Sequence, residues 1–363
     1  MPRLMLMVLT LLATAVSAAA QQQPTRTRNV VLIVADGVRW QEVFRGADPA
    51  LIQATQGVED TARLSRDFAR PDTPDARRTL MPFLWDVIAR NGQIIGDSAL
   101  GSNAHVTNGL KFSYPGYNEM LTGAPDARID RNDYGPNPNT TVFEWLNQQP
   151  GFEGRVAAYG TWGVFREIFA RERTGLPVRA GWEDAFPSPR NDRERELNDL
   201  YATFVRYWDN NTFDALAHAS VLEYLREYRP RVLFVGYGEP DEWAHGRRYD
   251  LYLHSIHRVD AAIAELWTAM EAIPEYRGST TFIITADHGR GRGDDWTDHG
   301  RDIEGAERVW MAVIGPDTPA TGVRSGEEVT QSQIAATIAA LLGQDFGAVA
   351  PDAAPPIAGV IGH

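Results

Sequence analysis

Short runs of apolar residues alternate with longer amphipathic segments along most of the chain. The first run, Val30 to Val34, is continuous and mostly β-branched, which is typical of a parallel strand covered on both faces. Similar runs occupy residues 155–159, 232–237, 281–285 and 309–314. Between the runs, helical periodicity occurs at residues 80–89, 141–147, 197–228, 249–271 and 332–342. Because strands and helices alternate, the pattern predicts an α/β fold with a doubly wound, mostly parallel sheet sandwiched between helices.

Two segments depart from this alternation. Residues 48–78 and 166–193 are rich in Arg, Asp and Pro and have weak periodicity, so we expect them to form excursions over one edge of the sheet. Such excursions commonly shape the choice of substrate. The chain has no internal repeat and no obvious break in composition. We therefore predict a single catalytic domain over residues 29–363, preceded by a polar linker at residues 21–28.

The first twenty residues have the composition of a targeting segment. Arg3 precedes an apolar run from Leu4 to Val16, and small residues follow from Ser17 to Ala20. This order is typical of a secretory signal peptide with an Ala-x-Ala-like cleavage site. A membrane anchor, the alternative, needs about 20 apolar residues, and this run is shorter. We therefore predict a signal peptide at residues 1–20, a periplasmic or secreted protein, and no stable membrane anchor after cleavage.

Charge and cysteine content narrow the classes of partner and site. The 363 residues are 43% hydrophobic and 23% charged, which is a globular composition. The net charge of −13 argues against a nucleic-acid duplex as the partner, because the two would repel each other. The sequence contains no cysteine, which excludes disulfides, thiolate metal sites and cysteine nucleophiles. Any metal ion must therefore bind to histidine and carboxylate side chains.

Aspartate and histidine residues follow three of the predicted strands. In open parallel sheets, ligands bind beyond the carboxyl ends of the strands, so residues at these positions can share one crevice. Each motif alone has an ordinary alternative, because an Asp before Gly is common in turns and an Asp and a His at i and i+4 also form surface pairs. Surface pairs, however, have no reason to recur after three buried strands. The residues are Asp36, Asp241 with His245, Asp287 with His288 and, from the next loop, His299.

Three carboxylates and three imidazoles in one crevice require cations. Like charges at short range repel each other, and desolvation adds to the cost. Nitrogen and oxygen ligands without sulfur suit Zn²⁺ or Mn²⁺, and the imidazoles favour Zn²⁺. These groups and one hydroxyl are enough for two ions, which can clamp the attacking and leaving oxygens of a phosphoryl transfer. The sequence therefore predicts two divalent metal ions, Zn²⁺ or alternatively Mn²⁺.

Ser113 is the candidate nucleophile. Pro115 follows it by two residues and a helical pattern continues through Leu121, which places the Ser113 hydroxyl at a helix N-terminus. The positive end of the helix dipole favours an alkoxide and an incoming anion at that position. An ordinary N-cap serine is the alternative interpretation of this segment.

Taken in order, these motifs resemble the alkaline phosphatase superfamily, most closely its type I phosphodiesterase/nucleotide pyrophosphatase branch. Ser113-Tyr114-Pro115 stands where that branch usually has Thr-x-Pro. The resemblance spans roughly residues 29–343, and the ordered set is specific although each motif is short. The other matching features are Asp36, Thr122-Gly123, Glu239-Pro240-Asp241 with His245, Asp287-His288-Gly289, His299 and residues 335–343.

The resemblance implies a role for each matching residue. Ser113 would attack phosphorus as a metal-bound alkoxide, and water on the first zinc ion would then hydrolyse a covalent phosphoseryl intermediate. The first zinc ion would bind Asp241, His245 and His299, and the second would bind Asp36, Asp287, His288 and the Ser113 oxygen. Asn132 resembles the asparagine with which that branch contacts phosphate, and the alternatives for this role are Asn103, Asn108 and Asn118.

Departures from the family patterns refine the expected substrate. Sulfatases of the superfamily form formylglycine within Cys/Ser-x-Pro-x-Arg, and Tyr117 occupies the fifth position here. Lys111 is the only lysine, and the sequence has no clear Lys-x-Arg pair to clamp a monoester dianion, although Arg166, Arg290 or Arg292 could supply a clamp. We therefore expect an exported hydrolase of small phosphodiesters or nucleotide pyrophosphates. The alternatives are a phosphomonoesterase, a sulfatase and a metal-binding protein without turnover.

Overall fold

The computed structural model describes residues 25–362, so the predicted signal peptide lies outside the described residues. Its strands are β1 (Asn29–Ala35), β2 (Gln93–Ile95), β3 (Asn103–His105), β4 (Val156–Gly160), β5 (Val178–Ala180), β6 (Val232–Tyr237), β7 (Thr280–Thr285), β8 (Arg308–Val309), β9 (Met311–Ile314), β10 (Gly322–Val323) and β11 (Glu328–Thr330). Its α-helices are α1 (Trp40–Arg45), α2 (Thr61–Phe68), α3 (Thr73–Leu80), α4 (Ala89–Asn91), α5 (Ser113–Thr122), α6 (Val142–Asn147), α7 (Phe165–Ile168), α8 (Arg171–Thr174), α9 (Asp192–Thr203), α10 (Asp214–Tyr228), α11 (Glu239–His245), α12 (Tyr249–Ala272) and α13 (Gln333–Leu341). A π-helical segment at Leu84–Ile88 leads directly into α4.

Eight of these strands form the central sheet, in the spatial order β10-β2-β9-β7-β1-β6-β4-β5. All neighbours in it are parallel except β9, which runs antiparallel to both β2 and β7. Strand β1 lies inside the sheet and is buried along its whole length, as its continuous apolar run predicted. The strands β11, β3 and β8 form a separate small sheet. The predicted α/β fold with a mostly parallel sheet is confirmed.

Helices cover the sheet and close a single core. Helices α5, α6 and α13 pack together, while α10 packs against β4, β6, α9 and α12. The buried hydrophobic residues form one connected cluster, which agrees with the prediction of a single domain. No helix among the described residues is long and apolar enough to cross a membrane.

The prediction of one helix over residues 197–228 is wrong. The structure has two helices there, α9 and α10, joined by the segment 204–213. Phe204, Val205 and Tyr207 keep the apolar content high, so composition does not reveal the break. The segment instead folds back towards β4, where Asn211 forms an antiparallel bridge with Trp162. A tertiary contact therefore overrides the local helical pattern.

The two predicted excursions contain short elements that periodicity alone does not reveal. Residues 48–78 include α2 and most of α3, whose N-caps, Asp60 and Asp72, accept hydrogen bonds from backbone N–H groups. Residues 166–193 include α8 and β5, the strand at one edge of the central sheet. Because helices of four to eight residues complete at most about two turns, they show little periodicity.

Candidate active site

The carboxyl ends of three neighbouring strands bring the predicted residues together. Asp36 follows β1, while Asp287 and His288 follow β7. Strand β6, on the other side of β1, leads into α11, which carries Asp241 and His245. The loop after β7 then returns and adds His299 to the same crevice. The spatial convergence that the sequence predicted is therefore present in the structure.

His288 lies at the centre of one group, which we call the serine site: Asp36, Asp287, His288 and Ser113. The His288 Nε2 atom is 3.4 Å from Asp36 Oδ1, 3.5 Å from Asp287 Oδ2 and 3.4 Å from Ser113 Oγ. One ligand atom from each of Asp36, Asp287 and His288 lies within 4.8 Å of the others. A single cation among these atoms would contact all three residues.

A second group, which we call the histidine site, comprises Asp241, His245 and His299. The His245 Nε2 atom is 3.2 Å from Asp241 Oδ2 and 3.1 Å from His299 Nε2. The His299 ring stacks on the His288 ring with a centroid distance of 3.9 Å, so the two sites adjoin. The contacts support the two predicted ligand groups, and the assignment of these residues as ligands stays a prediction.

Backbone carbonyl groups fix which nitrogen of each buried imidazole faces the crevice. His288 Nδ1 is 3.0 Å from the Gly289 carbonyl oxygen, and His299 Nδ1 is 3.3 Å from the Lys111 carbonyl oxygen. Because a carbonyl oxygen can only accept, each Nδ1 carries the proton and donates it. The lone pair of each Nε2 then points at the neighbouring carboxylates. This is the usual arrangement of histidines that bind metal ions.

Burial and mutual repulsion perturb the ionisation of the serine site. Burial, followed by the charges of Asp287 and Asp241, raises the pKa of Asp36 well above its usual range. Burial and the charge of Asp241 raise the pKa of Asp287 to about 7. Burial lowers the pKa of His288 to about 4. The chain alone therefore disfavours the charged forms of all three groups at this position.

A divalent cation fits this arrangement. Asp36 Oδ1 and Asp287 Oδ2 are buried and have no hydrogen-bond partner among the described residues. Unpartnered buried carboxylate oxygens are costly, and they face imidazole lone pairs that also need an electron-pair acceptor. A metal ion satisfies both kinds of atom at once. The donor set of oxygen and imidazole nitrogen suits the metal ions that the sequence predicted.

Two glycines allow the close approaches that the site requires. Gly37 adopts a left-handed conformation with φ of +61°, and its N–H donates to Asp287 Oδ1 at 3.2 Å. A Cβ atom on Gly116 would lie 2.4 Å from the Asp287 carbonyl oxygen. Helix α5 can therefore touch the backbone beyond β7 only because residue 116 has no side chain. This contact places the N-terminus of α5 beside the serine site.

Helix α5 begins at Ser113, as predicted. Tyr117, one turn further along, donates its hydroxyl proton to Asp36 Oδ2 at 3.1 Å. Sequence reasoning used Tyr117 only as a departure from the sulfatase motif, although its i+4 spacing from Ser113 places both on one face of the helix. Asn132 Oδ1 accepts the N–H of Tyr114 at 3.0 Å, so its amide lies at the N-terminus of the same helix. Its contact with phosphate stays a prediction.

Arg290 is the other residue whose position sequence reasoning missed. Its side chain is fully buried, and Nη2 donates to both the carboxylate and the backbone carbonyl oxygen of Asp241. Nη1 donates to the Thr297 carbonyl oxygen. Burial opposes ionisation of Asp241, yet Arg290 and His245 hold its pKa well below the usual range. Arg290 thus holds Asp241 of the histidine site in place. Because its guanidinium is used in these contacts, it is not placed to clamp a substrate phosphate.

Replacing Arg290 with methionine is expected to lower the free energy of unfolding of the metal-free protein by about 3–5 kcal/mol, because the Asp241 charge loses its buried partner. Urea unfolding of the metal-free protein measures the loss. The matched control is Arg292→Met, which removes an exposed guanidinium two residues away. Equal stability of the two variants would contradict the supporting role of Arg290.

Comparisons with known proteins agree with this geometry. A family model described as Metalloenzyme superfamily matches residues 202–345, which include Asp241, His245, Asp287, His288 and His299. No curated protein matches the chain.

Solved structures share the fold over most of the chain. The alkaline phosphatase PafA is 11% identical with a TM-score of 0.57, and the alignment covers 93% of this chain and 99% of PafA. Murine ectonucleotide pyrophosphatase/phosphodiesterase 5, in its inactive form in complex with AMP, is 13% identical with a TM-score of 0.52, over 91% of this chain and 96% of that chain. Ps i-CgsB is 17% identical with a TM-score of 0.57, and the alignment covers 92% of this chain and 75% of Ps i-CgsB. At these identities the similarity establishes the fold and not the substrate.

The family match over residues 202–345 and the shared fold agree with the resemblance that the motifs carry. The matched region carries five of the seven predicted metal ligands, and Asp36 and Ser113 join them from outside it. The superfamily acts through divalent metal ions on ester substrates. Residues 202–345 are thus similar to the Metalloenzyme superfamily, and the chain as a whole has an alkaline phosphatase-like α/β fold.

Proposed function

We propose that the chain is an exported hydrolase of small phosphate esters that uses two divalent ions, Zn²⁺ in preference to Mn²⁺, and favours phosphodiesters or nucleotide pyrophosphates. The observation that carries this proposal is the position of Ser113. Its hydroxyl lies at a helix N-terminus, 3.4 Å from His288 Nε2 and beside carboxylates with unpartnered oxygens. A serine in this place can act as a nucleophile towards an anionic ester.

The chain's own groups account for orientation and charge in the reaction. Ser113 loses its hydroxyl proton to solvent, and its Oγ atom attacks phosphorus and forms an Oγ–P bond. The bond from phosphorus to the leaving oxygen breaks, and that oxygen takes up a proton from water. Water then cleaves the Oγ–P bond and regenerates Ser113. The α5 dipole stabilises negative charge at Oγ and on the phosphoryl group. Bound divalent ions would lower the pKa of the Ser113 hydroxyl and neutralise charge on the phosphoryl oxygens.

Two further residues keep the reacting groups in place. Tyr117 holds Asp36 through its hydroxyl, so Asp36 Oδ1 stays directed at His288. Asn132 uses its oxygen to accept the Tyr114 N–H, which leaves its Nδ2 group to donate to a phosphoryl oxygen. The helix N-terminus and Asn132 would then both donate hydrogen bonds to the substrate oxygens.

The placement of nearby cations supports a preference for diesters. Lys111 lies two residues before Ser113, but its Nζ donates to the Ile303 carbonyl oxygen at 3.1 Å and lies 3.4 Å from Glu307. Arg290 is bound to Asp241. Neither cation is directed at an open phosphate position. The second negative charge of a monoester would therefore lack the compensation that these cations could give.

A comparison of three aryl substrates tests this proposal. We expect initial rates on an aryl phosphate diester to exceed those on the matching monoester by at least about tenfold, because an uncompensated charge costs more than 1.4 kcal/mol. The aryl sulfate should be the slowest, because Tyr117 stands where the sulfatase motif has arginine. Faster hydrolysis of the monoester or the sulfate than of the diester would contradict the proposed substrate class. If the protein holds two ions per chain but hydrolyses none of the three substrates, it is a metal-binding protein without turnover.

A further inference from the structure

The predicted excursion at residues 48–78 makes a contact that the proposed reaction does not use. Gln56, in a 3₁₀ turn at Ala54–Gln56, is 6% exposed. Its side chain reaches two other segments of the chain instead of solvent. One is the turn that follows His245, and the other is the loop that precedes His299. The two segments are therefore adjacent in sequence to the two histidines of the histidine site.

Three hydrogen bonds join Gln56 to those segments. Its Oε1 atom accepts from Arg247 Nη1 at 3.1 Å and from Trp296 Nε1 at 2.7 Å. Its Nε2 group donates to Asp294 Oδ1 at 2.8 Å. We call these four residues, Gln56, Arg247, Asp294 and Trp296, the brace. The amide oxygen accepts and the amide nitrogen donates. Only one orientation of the side-chain amide therefore satisfies all three partners.

The backbone around the brace is also closely packed. Arg247 has a left-handed backbone with φ of +50°, an uncommon conformation for a residue other than glycine. A Cβ atom on Gly57 would lie only 1.9 Å from the Arg247 carbonyl oxygen, so the excursion presses directly on this turn. Trp296 is fully buried against Tyr249 and Tyr252. The brace therefore connects a strained turn to a rigid aromatic cluster.

The side chain of His245 makes few contacts that fix its direction. Its side chain is 44% exposed, whereas those of His288 and His299 are 0% and 11% exposed and are held by backbone carbonyl groups. Among the described residues, the Nε2 atom of His245 contacts Asp241 and His299. His245 is the last residue of α11, so the turn at residues 246–248 continues directly from it, and Gln56 contacts that turn through Arg247.

We propose that Gln56 is a positioning residue that holds His245 and His299 at the separation needed to bind a metal ion in the histidine site. This inference rests on the proposed two-ion function. It assigns the 48–78 excursion a role in metal retention rather than in substrate choice. Residues that orient metal ligands typically change metal affinity by about 10–100-fold when they are replaced.

The test compares Gln56→Met with a matched control, Gln53→Met. Gln53 lies on the same excursion, is exposed, and donates only to the Ala50 carbonyl oxygen. After dialysis against a weak chelator, we expect two zinc ions per chain in the wild type and in Gln53→Met, and one in Gln56→Met. The zinc concentration that gives half-maximal activity should rise by about 10–100-fold in Gln56→Met alone.

Further variants separate positioning from simple loss of stability. Gln56→Glu keeps two acceptor contacts but places a carboxylate beside Asp294, so its loss of zinc should be intermediate. Adding Gln56→Met to His245→Ala should cause no further loss of zinc, because both act on one site.

Two ions and unchanged zinc dependence in Gln56→Met would overturn the inference, whatever the change in melting temperature. Fewer than two ions in the wild type would instead contradict the proposed function on which the inference rests.

Discussion

Replacing Ser113 with alanine is expected to lower kcat/KM for an aryl phosphodiester by roughly 10³-fold or more, because the nucleophile is removed and only binding and electrostatic effects remain. The fold should be preserved, since the Ser113 hydroxyl makes one long contact, to His288 at 3.4 Å. Initial rates with saturating zinc, measured beside circular dichroism and the zinc content, check both parts of this expectation.

Ser325→Ala is the matched control for that experiment. Ser325 is exposed and distant in sequence from every predicted ligand, so its replacement should leave activity unchanged. The structure does not support the N-cap interpretation, because Phe112 is the N-cap of α5 and Ser113 is its first residue. A serine without a chemical role would leave the activity of Ser113→Ala unchanged. Retained turnover in Ser113→Ala would therefore remove this residue from the mechanism.

Removing the divalent ions is expected to abolish activity and to lower stability together. An ion that binds only the folded chain stabilises it by about 4 kcal/mol when its free concentration is a thousand times its Kd. Treatment with a strong chelator should therefore lower the melting temperature, and added Zn²⁺ should restore both stability and activity. Added Mg²⁺ should restore less, because it binds imidazole ligands poorly.

The stability of the metal-free protein should also depend on pH, which provides a control for the chelation experiment. Asp36 and Asp287 have raised pKa values, Asp287 to about 7, so the folded metal-free chain keeps protons that the unfolded chain has released. Its stability should fall as pH rises through about 7. Below pH 6.5 the lowered pKa of His288 acts in the opposite direction, so the comparison belongs between pH 6.5 and 8. An unchanged melting temperature on chelation at pH 8 would contradict a metal site among these carboxylates.

The sequence is sufficient to predict the central strands and the crevice, but not β2, β5 and β10, the strands at or next to the edges of the sheet. Continuous apolar runs mark strands covered on both faces, and β1, β6 and β7 appear within a residue of the predicted bounds. Since residues after parallel strands share one edge of the sheet, the grouping of Asp36, Asp241 and Asp287 follows from the strand order alone. Spacing also places Ser113 correctly, because Pro115 marks the first turn of its helix.

Other features depend on contacts that no local pattern contains. Segment 204–213 keeps an apolar pattern, yet it leaves the helix to pair with Trp162. Arg290 looks like an exposed loop residue in a Gly-Arg-Gly-Arg-Gly stretch, but its position under Asp241 depends on how the loop returns after β7. Gln56 has no signal in its own segment, because its three partners come from two distant loops. Such residues can be identified only from tertiary structure.

We expect the serine and histidine sites each to hold one divalent ion beside Ser113. A crystal structure of the zinc-loaded protein, with anomalous diffraction recorded on both sides of the zinc edge, tests it most directly. We expect two anomalous peaks per chain, one among Asp36, Asp287, His288 and Ser113, and one among Asp241, His245 and His299. A single peak, or peaks away from these residues in a protein that is active, would contradict it.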